Sequence, residues 1–250
     1  MLSRCRISNH CREVAAINRK LGILGGMGPK ATAVFMDKII EHTDADRDQD
    51  HLDMIIVNHA TLPDRTTVIL EQRKEEFLTA VERDLQLLAY AEATHIAIPC
   101  NTSHYFYDEL QAMSSVPIIH MVDETVQVMA GRFGRGSKIG LLATNGTVRS
   151  GVYKRICERH GMELHLPDEA TQNQVMRIIY HDVKGGVTPD PAVFERIILN
   201  MIKHDQCSGV IIACTELSCI PISAAVNSYC VDAMDVLVRK SIELSGKRYK

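Results

Sequence analysis

Short apolar runs alternate along the chain with longer segments of helical spacing. LGIL at 21–24, MIIV at 54–57, IAIP at 96–99 and PIIH at 117–120 read as buried strands, too short for buried helices. Between the second and third runs, Phe77, Leu78, Val81, Leu85 and Leu88 recur every three or four residues and predict one apolar helix face. Pro29 directly after Gly28 suits a helix start, where a missing N–H costs nothing. The pattern then restarts with IGLLA at 139–143, MELHL at 162–166, GVIIA at 209–213 and a short run at 229–231. Such alternation predicts an α/β chain of two similar units, each a parallel sheet covered by helices.

Within that frame two cysteines stand out. Cys100 ends IAIP and is followed by Asn101, Thr102 and Ser103; Cys214 ends GVIIA and is followed by Thr215 and Glu216. Buried cysteines more often sit inside apolar runs as small hydrophobes than at their exits. Each of these two closes the third strand of its own half, and ligands of open parallel sheets bind outside the carboxyl ends of the strands. Packed face to face, the two halves would bring both thiols to one ligand. Cys5, Cys11, Cys157, Cys207, Cys219 and Cys230 have no such pattern and read as structural or incidental.

Composition narrows the classes. The 250 residues are 46% hydrophobic and 24% charged, with a formal charge of −3, five Phe and no Trp, so nothing favours a nucleic-acid surface. Eight cysteines are too sparse for a disulfide scaffold and no signal peptide is legible, which points to reduced thiols and a cytoplasmic location. Neither CxxC nor HExxH occurs, so no metal is expected. No apolar run nears the roughly 20 residues of a membrane span. The arginine-rich start of the chain suggests either a transit peptide or, more plainly, an extension outside the fold.

Two facing thiols suit inversion of a carbon acid: one thiolate removes the α-proton and the opposite thiol supplies another. A reference thiol pKa of about 8.5 lets both forms coexist near neutrality. The polar residues after each cysteine suggest helix starts, which stabilise thiolates. The carbanion is the harder problem, and donors around Asn101, Thr102 and Thr215 aimed at a substrate carboxylate would ease it. No motif for a pyridoxal cofactor is visible. His104, four residues after Cys100, is a candidate base for single-cysteine covalent catalysis. The glycine-rich GILGGMGP matches neither GxGxxG nor a Walker sequence, and suits amides brought close to a small anion. Arg65 and Lys184 gain interest if that ligand is a dicarboxylate.

The motifs LGILGGMGP, RDQDH, PDRT, PCNTSH, LLATNGTVRSGVY, VMRIIY and ACTELS, in this order from about Lys20 to Leu244, resemble the aspartate/glutamate racemases, and within them the aspartate racemase branch. The resemblance implies two pseudo-symmetric Rossmann-like domains with an interdomain active site, no cofactor, an acidic amino-acid substrate and a homodimer. It implies Cys100 and Cys214 as the catalytic bases, Arg65 and Lys184 on substrate carboxylates, and Met27, Asn101, Thr102, Ser103, Thr215 and Glu216 around the substrate. The domains expected are 20–120 with 229–250, and 121–228, leaving 1–19 as an extension. Glutamate racemases carry Asp-Ser-Gly at the position of Gly25-Gly26-Met27 and His at that of Glu216, which favours L- and D-aspartate over glutamate. The alternatives are a maleate-type cysteine isomerase of a small dicarboxylate and a non-catalytic two-lobed amino-acid-binding protein.

Overall fold

Strand β1 (Leu21–Gly25) is buried along its whole length, as the centre of a parallel sheet requires. It pairs with β2 (Met54–Asn58) on one side and β3 (His95–Ala97) on the other, all parallel, in the order β2-β1-β3. The second half repeats the scheme with β4 (Lys138–Leu142), β5 (Glu163–His165), β6 (Gly209–Ile212) and β7 (Cys230–Asp232), in the order β5-β4-β6-β7, again all parallel. The structure, a computed structural model, describes residues 19–250. The arginine-rich segment 1–18, with Cys5 and Cys11, lies outside the described residues.

Each sheet is covered on both faces. Leu24, Ile96 and Ile98 pack under the helix Lys74–Tyr90, which buries Phe77, Val81, Leu85 and Leu88 and leaves Leu78 half-buried at the rim. At about 1.5–3 kcal/mol per buried large side chain, this stripe fixes the helix on the sheet. Leu21 and Ile23, on the opposite face, meet Ala31, Phe35 and Ile39 of the helix Pro29–His42. In the second lobe Val210 and Ile212 pack with Phe194, Ile197 and Met201 of the helix Pro191–Lys203. Ile139, Leu141 and Ile211 face Val122, Val126 and Met129 of the helix Met121–Phe133. Pro29 opens its helix as expected.

Two expectations change. PIIH forms no strand of its own: Ile118 makes a single parallel bridge to Ile96, and the helix capped by His120 begins directly after it, leaving no length for a ladder. The run near 230 pairs with β6 in the second sheet, whereas the following helix, Ala233–Leu244, buries its apolar face in the first core. The chain therefore returns to the first lobe after Asp232, not before Tyr229. The helices Met121–Phe133 and Ala233–Leu244 thus cross between lobes, and they pack against each other. Among the described residues no helix is long and apolar enough to cross a membrane.

Candidate active site

In both sheets successive strands lie on opposite sides of the first: β2 and β3 flank β1, and β5 and β6 flank β4. The reversal of strand order opens a crevice at the carboxyl ends, where ligands of such sheets bind. Cys100 leaves β3 and Cys214 leaves β6, each entering a short 3-10 turn, Thr102–Phe106 and Leu217–Cys219. The two lobes close these crevices onto each other. Cys100 and Cys214, both buried, line one cleft with Met27, Arg65, Asn101, Thr102, Lys184, Thr215 and Glu216.

The lobes meet through polar contacts at the cleft wall. Thr102 Oγ1 lies 3.0 Å from Thr144 Oγ1 and 2.9 Å from Thr147 Oγ1, and Tyr153 donates its hydroxyl to Asn101 Oδ1 at 2.5 Å. Tyr180 donates to Asp64 Oδ2 at 3.2 Å and lies 3.1 Å from Thr66 Oγ1. Gly146 is needed for this closeness: a Cβ there would stand 2.8 Å from the Thr66 Cα. The cleft holds about 10 Å³ of free space, room for roughly one water molecule. A wider opening of about 270 Å³ adjoins it, sharing Asp64, Arg65, Lys184 and Glu216 with the cleft and walled otherwise by Gly26, Gly28 and Lys30.

Charges of both signs converge here. Arg65 is buried, its Nη1 donating to the carbonyls of Pro63 at 2.7 Å and Leu62 at 3.3 Å, while its Nε has no hydrogen-bond partner among the described residues. Lys184 follows a π-helical turn, Ile178–Val183, a form frequent at functional sites. Its ammonium stands 3.9 Å from both Asp64 Oδ2 and Glu216 Oε1, and 4.3 Å from the centre of the Tyr180 ring. Burial opposes ionisation of Asp64, but the Thr67 N–H, Lys184 and Arg65 outweigh it and hold the carboxyl below its usual range. Asn101 Nδ2 and Glu216 Oε1 are buried without hydrogen-bond partners among the described residues. A buried, unpartnered polar atom at a cleft wall fits a polar ligand.

The Cys214 thiol donates to Glu216 Oε2 at 3.0 Å. Burial and this carboxylate push the thiol well above its usual pKa, opposite to the lowering expected from a helix start. The turn after Cys214 is only three residues long, too short for a large dipole to oppose these effects. Both effects favour the protonated thiol at Cys214.

Three further expectations change. Ser103 is not among the residues that line the cleft, and its hydroxyl donates to the Cys100 carbonyl at 2.8 Å. His104 shows the thiol no face either: Nδ1 lies 2.8 Å from the Cys100 carbonyl oxygen and Nε2 accepts from the Met121 N–H at 3.2 Å. Burial, and secondarily His120, push its pKa down to about 4, so it is a neutral structural imidazole and not the base of a cysteine–histidine dyad. The Gly26 N–H, expected near a ligand, is taken by Thr32 Oγ1 at 2.9 Å. Asp64, Thr66, Thr144 and Tyr180 line the cleft without having been singled out from the sequence. Asp64 carried one legible signal, an N-cap position three residues before Thr67, and its side chain does accept the Thr67 N–H. Among the described residues no group of three or more His, Cys, Asp or Glu is arranged to hold a metal ion. Cys157 and Cys207 are packed in the cores, where burial pushes their thiols up to about 12 and about 11.

Comparison with known proteins agrees with this fold. The family described as Asp/Glu/Hydantoin racemase matches residues 24–241. A broad specificity amino-acid racemase, RacX, of Bacillus subtilis (strain 168) is 30% identical over 208 residues, 80% of this chain and 86% of that protein. Among solved structures, Picrophilus torridus aspartate racemase superposes with a TM-score of 0.79 at 30% identity, covering 93% of this chain and 96% of that one. An aspartate racemase homologue from Pyrococcus horikoshii OT3 gives 0.74 at 25% identity, over 91% and 99% of the two chains. Glutamate racemase from Campylobacter jejuni subsp. jejuni shares the fold at a TM-score of 0.59 and 17% identity, over 92% and 88%. The chain is an α/β protein of two parallel sheets joined at a shared cleft, and it belongs to the Asp/Glu/hydantoin racemase family.

Proposed function

We propose that this protein interconverts L- and D-aspartate without a cofactor, by proton transfer between Cys100 and Cys214 through the substrate α-carbon. The observation that carries the reading is the meeting of two thiols, one from each lobe, in a cleft that also holds Arg65 and Lys184. A dicarboxylate supplies what the buried Arg65 Nε lacks, and the substrate ammonium complements Asp64 and Glu216.

In the reaction one cysteine, as thiolate, takes the α-proton. The C–H electron pair delocalises into the adjacent carboxylate, and the other cysteine, as thiol, protonates the opposite face. In this reading Asn101 Nδ2 and the cationic pair bind that carboxylate, joined by the Thr215 hydroxyl once it leaves Glu216 Oε2, each good donor being worth about 3 kcal/mol in the transition state. When Cys214 must act as base, its proton passes to Glu216 Oε2, the atom it already contacts. With substrate bound, so narrow a cleft would leave little room for water, which strengthens these interactions and protects the carbanion.

The similarity to an enzyme named for broad specificity makes range the natural second question. Incubation of L- and D-amino acids in deuterated buffer, followed by NMR at the α-hydrogen, tests both. Loss of the α-hydrogen signal with formation of the mirror-image form, fastest for aspartate, supports the reading. Retention of the signal in every amino acid sinks it.

A further inference from the structure

Each catalytic turn is tied to the start of the helix that crosses into the opposite lobe, and the two ties use different chemistry at matching positions. On the first side His104, four residues after Cys100, bridges the Cys100 carbonyl and the Met121 N–H. Nε2 also lies 3.3 Å from the Ile119 carbonyl oxygen, but accepting the Met121 N–H and donating from Nδ1 to the closer Cys100 carbonyl, at 2.8 Å, satisfies both ring nitrogens. Met121 opens the helix whose Val122, Val126 and Met129 are buried in the second core.

On the second side Ser218, four residues after Cys214, closes the turn with its N–H on the Cys214 carbonyl at 3.3 Å. Its hydroxyl donates to Asp232 Oδ1 at 2.7 Å, and the same oxygen accepts the Met234 N–H at 2.8 Å. Asp232 is the N-cap of the helix Ala233–Leu244, whose Leu237, Val238 and Ile242 are buried in the first core. The two crossing helices pack on each other, so parting of the lobes acts on both ties.

We propose that His104, and Ser218 with Asp232, are paired positioning residues that register Cys100 and Cys214 respectively to the crossing helices, so that lobe closure sets the two thiols against the substrate. The inference rests on the two-thiol reading above. It concerns residues that do not line the cleft: each tie reaches its cysteine through the backbone carbonyl, His104 at Cys100 and Ser218 at Cys214.

The two ties are separable by isotope effects. The equilibrium constant of a racemisation is unity, so loss of either tie must lower kcat/KM equally in both directions, here by about 10- to 100-fold, the scale of a misplaced reacting group. The primary deuterium isotope effect is not so constrained. In Ser218→Ala and Asp232→Ala, proton transfer at Cys214 becomes more limiting. With α-deuterated aspartate the isotope effect then rises for the hand that Cys214 deprotonates and falls for the other. His104→Ala moves the pair of isotope effects in the opposite sense. Asp232→Asn keeps an oxygen acceptor for Ser218 and Met234 and restores both rate and isotope effects toward those of the unsubstituted protein.

Unchanged isotope effects in Ser218→Ala, or a shift of the same sense for both hands, overturn the inference. So does a shift in the same sense for the His104 and Ser218 variants. If His104→Ala does not fold, the contrast between Asp232→Ala and Asp232→Asn decides by itself. Failure of the underlying reading looks different: the unsubstituted protein, assayed alongside, would not racemise aspartate, or would do so equally well as Cys100→Ala.

Discussion

The Cys214 thiol and the Glu216 carboxylate share one hydrogen bond of 3.0 Å, two residues apart on the same turn. A carboxylate at that distance stabilises the S–H and destabilises the thiolate, so Cys214 rests as the acid of the site. Glu216→Gln removes the charge and keeps the side-chain shape. Alkylation of Cys214 by iodoacetamide, followed across pH by mass spectrometry of its peptide, gives a midpoint that moves down in this variant. Racemisation falls at the same time, by about 100-fold, because the proton acceptor is lost. A midpoint that stays put or rises contradicts the role given to Glu216.

Arg65, which lines the cleft, holds its own loop through the carbonyls of Leu62 and Pro63 and leaves a buried Nε without a hydrogen-bond partner among the described residues. A lysine has no planar fork to do both. Arg65→Lys therefore raises the KM for aspartate, by about 10- to 100-fold if one charged hydrogen bond of about 1.5–3 kcal/mol is lost. Steady-state kinetics check this, and an unchanged KM would remove Arg65 from substrate binding.

Asp64 caps the helix Arg65–Leu70 and faces Lys184. Its carboxyl is depressed in the folded state, so its charge contributes stability above the unfolded pKa and loses that contribution as pH falls through the folded one. Asparagine caps a helix as well as aspartate does but carries no charge. Urea denaturation should find Asp64→Asn less stable than the unsubstituted protein at pH 7, by under about 1 kcal/mol for so exposed a pair. The gap closes under acid conditions that protonate Asp64. An equal gap at both pH values contradicts the charge argument.

Gly146 lets the second lobe approach the Thr66 backbone of the first. Gly146→Ala inserts a methyl group at the seam, an overpacking of about 1–3 kcal/mol. Because the seam borders the cleft, kcat/KM should fall together with thermal stability. Activity retained with lowered stability would place the strain elsewhere.

The strands were legible because buried parallel strands are continuous apolar runs, and the cysteine pair because it repeats at the exits of two such runs. PIIH was misread because apolarity alone does not reveal that a helix cap at His120 follows at once. Tyr229–Val231 was assigned by its place in the chain, while strand pairing and core packing divide at Asp232. Thr66, Thr144 and Tyr180 line a seam between the lobes, a long-range fact with no local pattern, and the N-cap signal at Asp64 marks a helix start and not a cleft wall. Ser103 and His104 occupy polar positions whose hydrogen-bond direction, toward the Cys100 carbonyl, cannot be read from spacing. The same holds for Cys214, whose pKa is governed by burial and Glu216 and not by its short turn.

The account turns on both sulfurs exchanging protons with one α-carbon. The most direct measurement is racemisation of L- and D-aspartate by Cys100→Ser and Cys214→Ser, with correct folding of each verified by circular dichroism. The account predicts that each single substitution abolishes interconversion in both directions. Racemisation at the unsubstituted rate by either folded variant contradicts it.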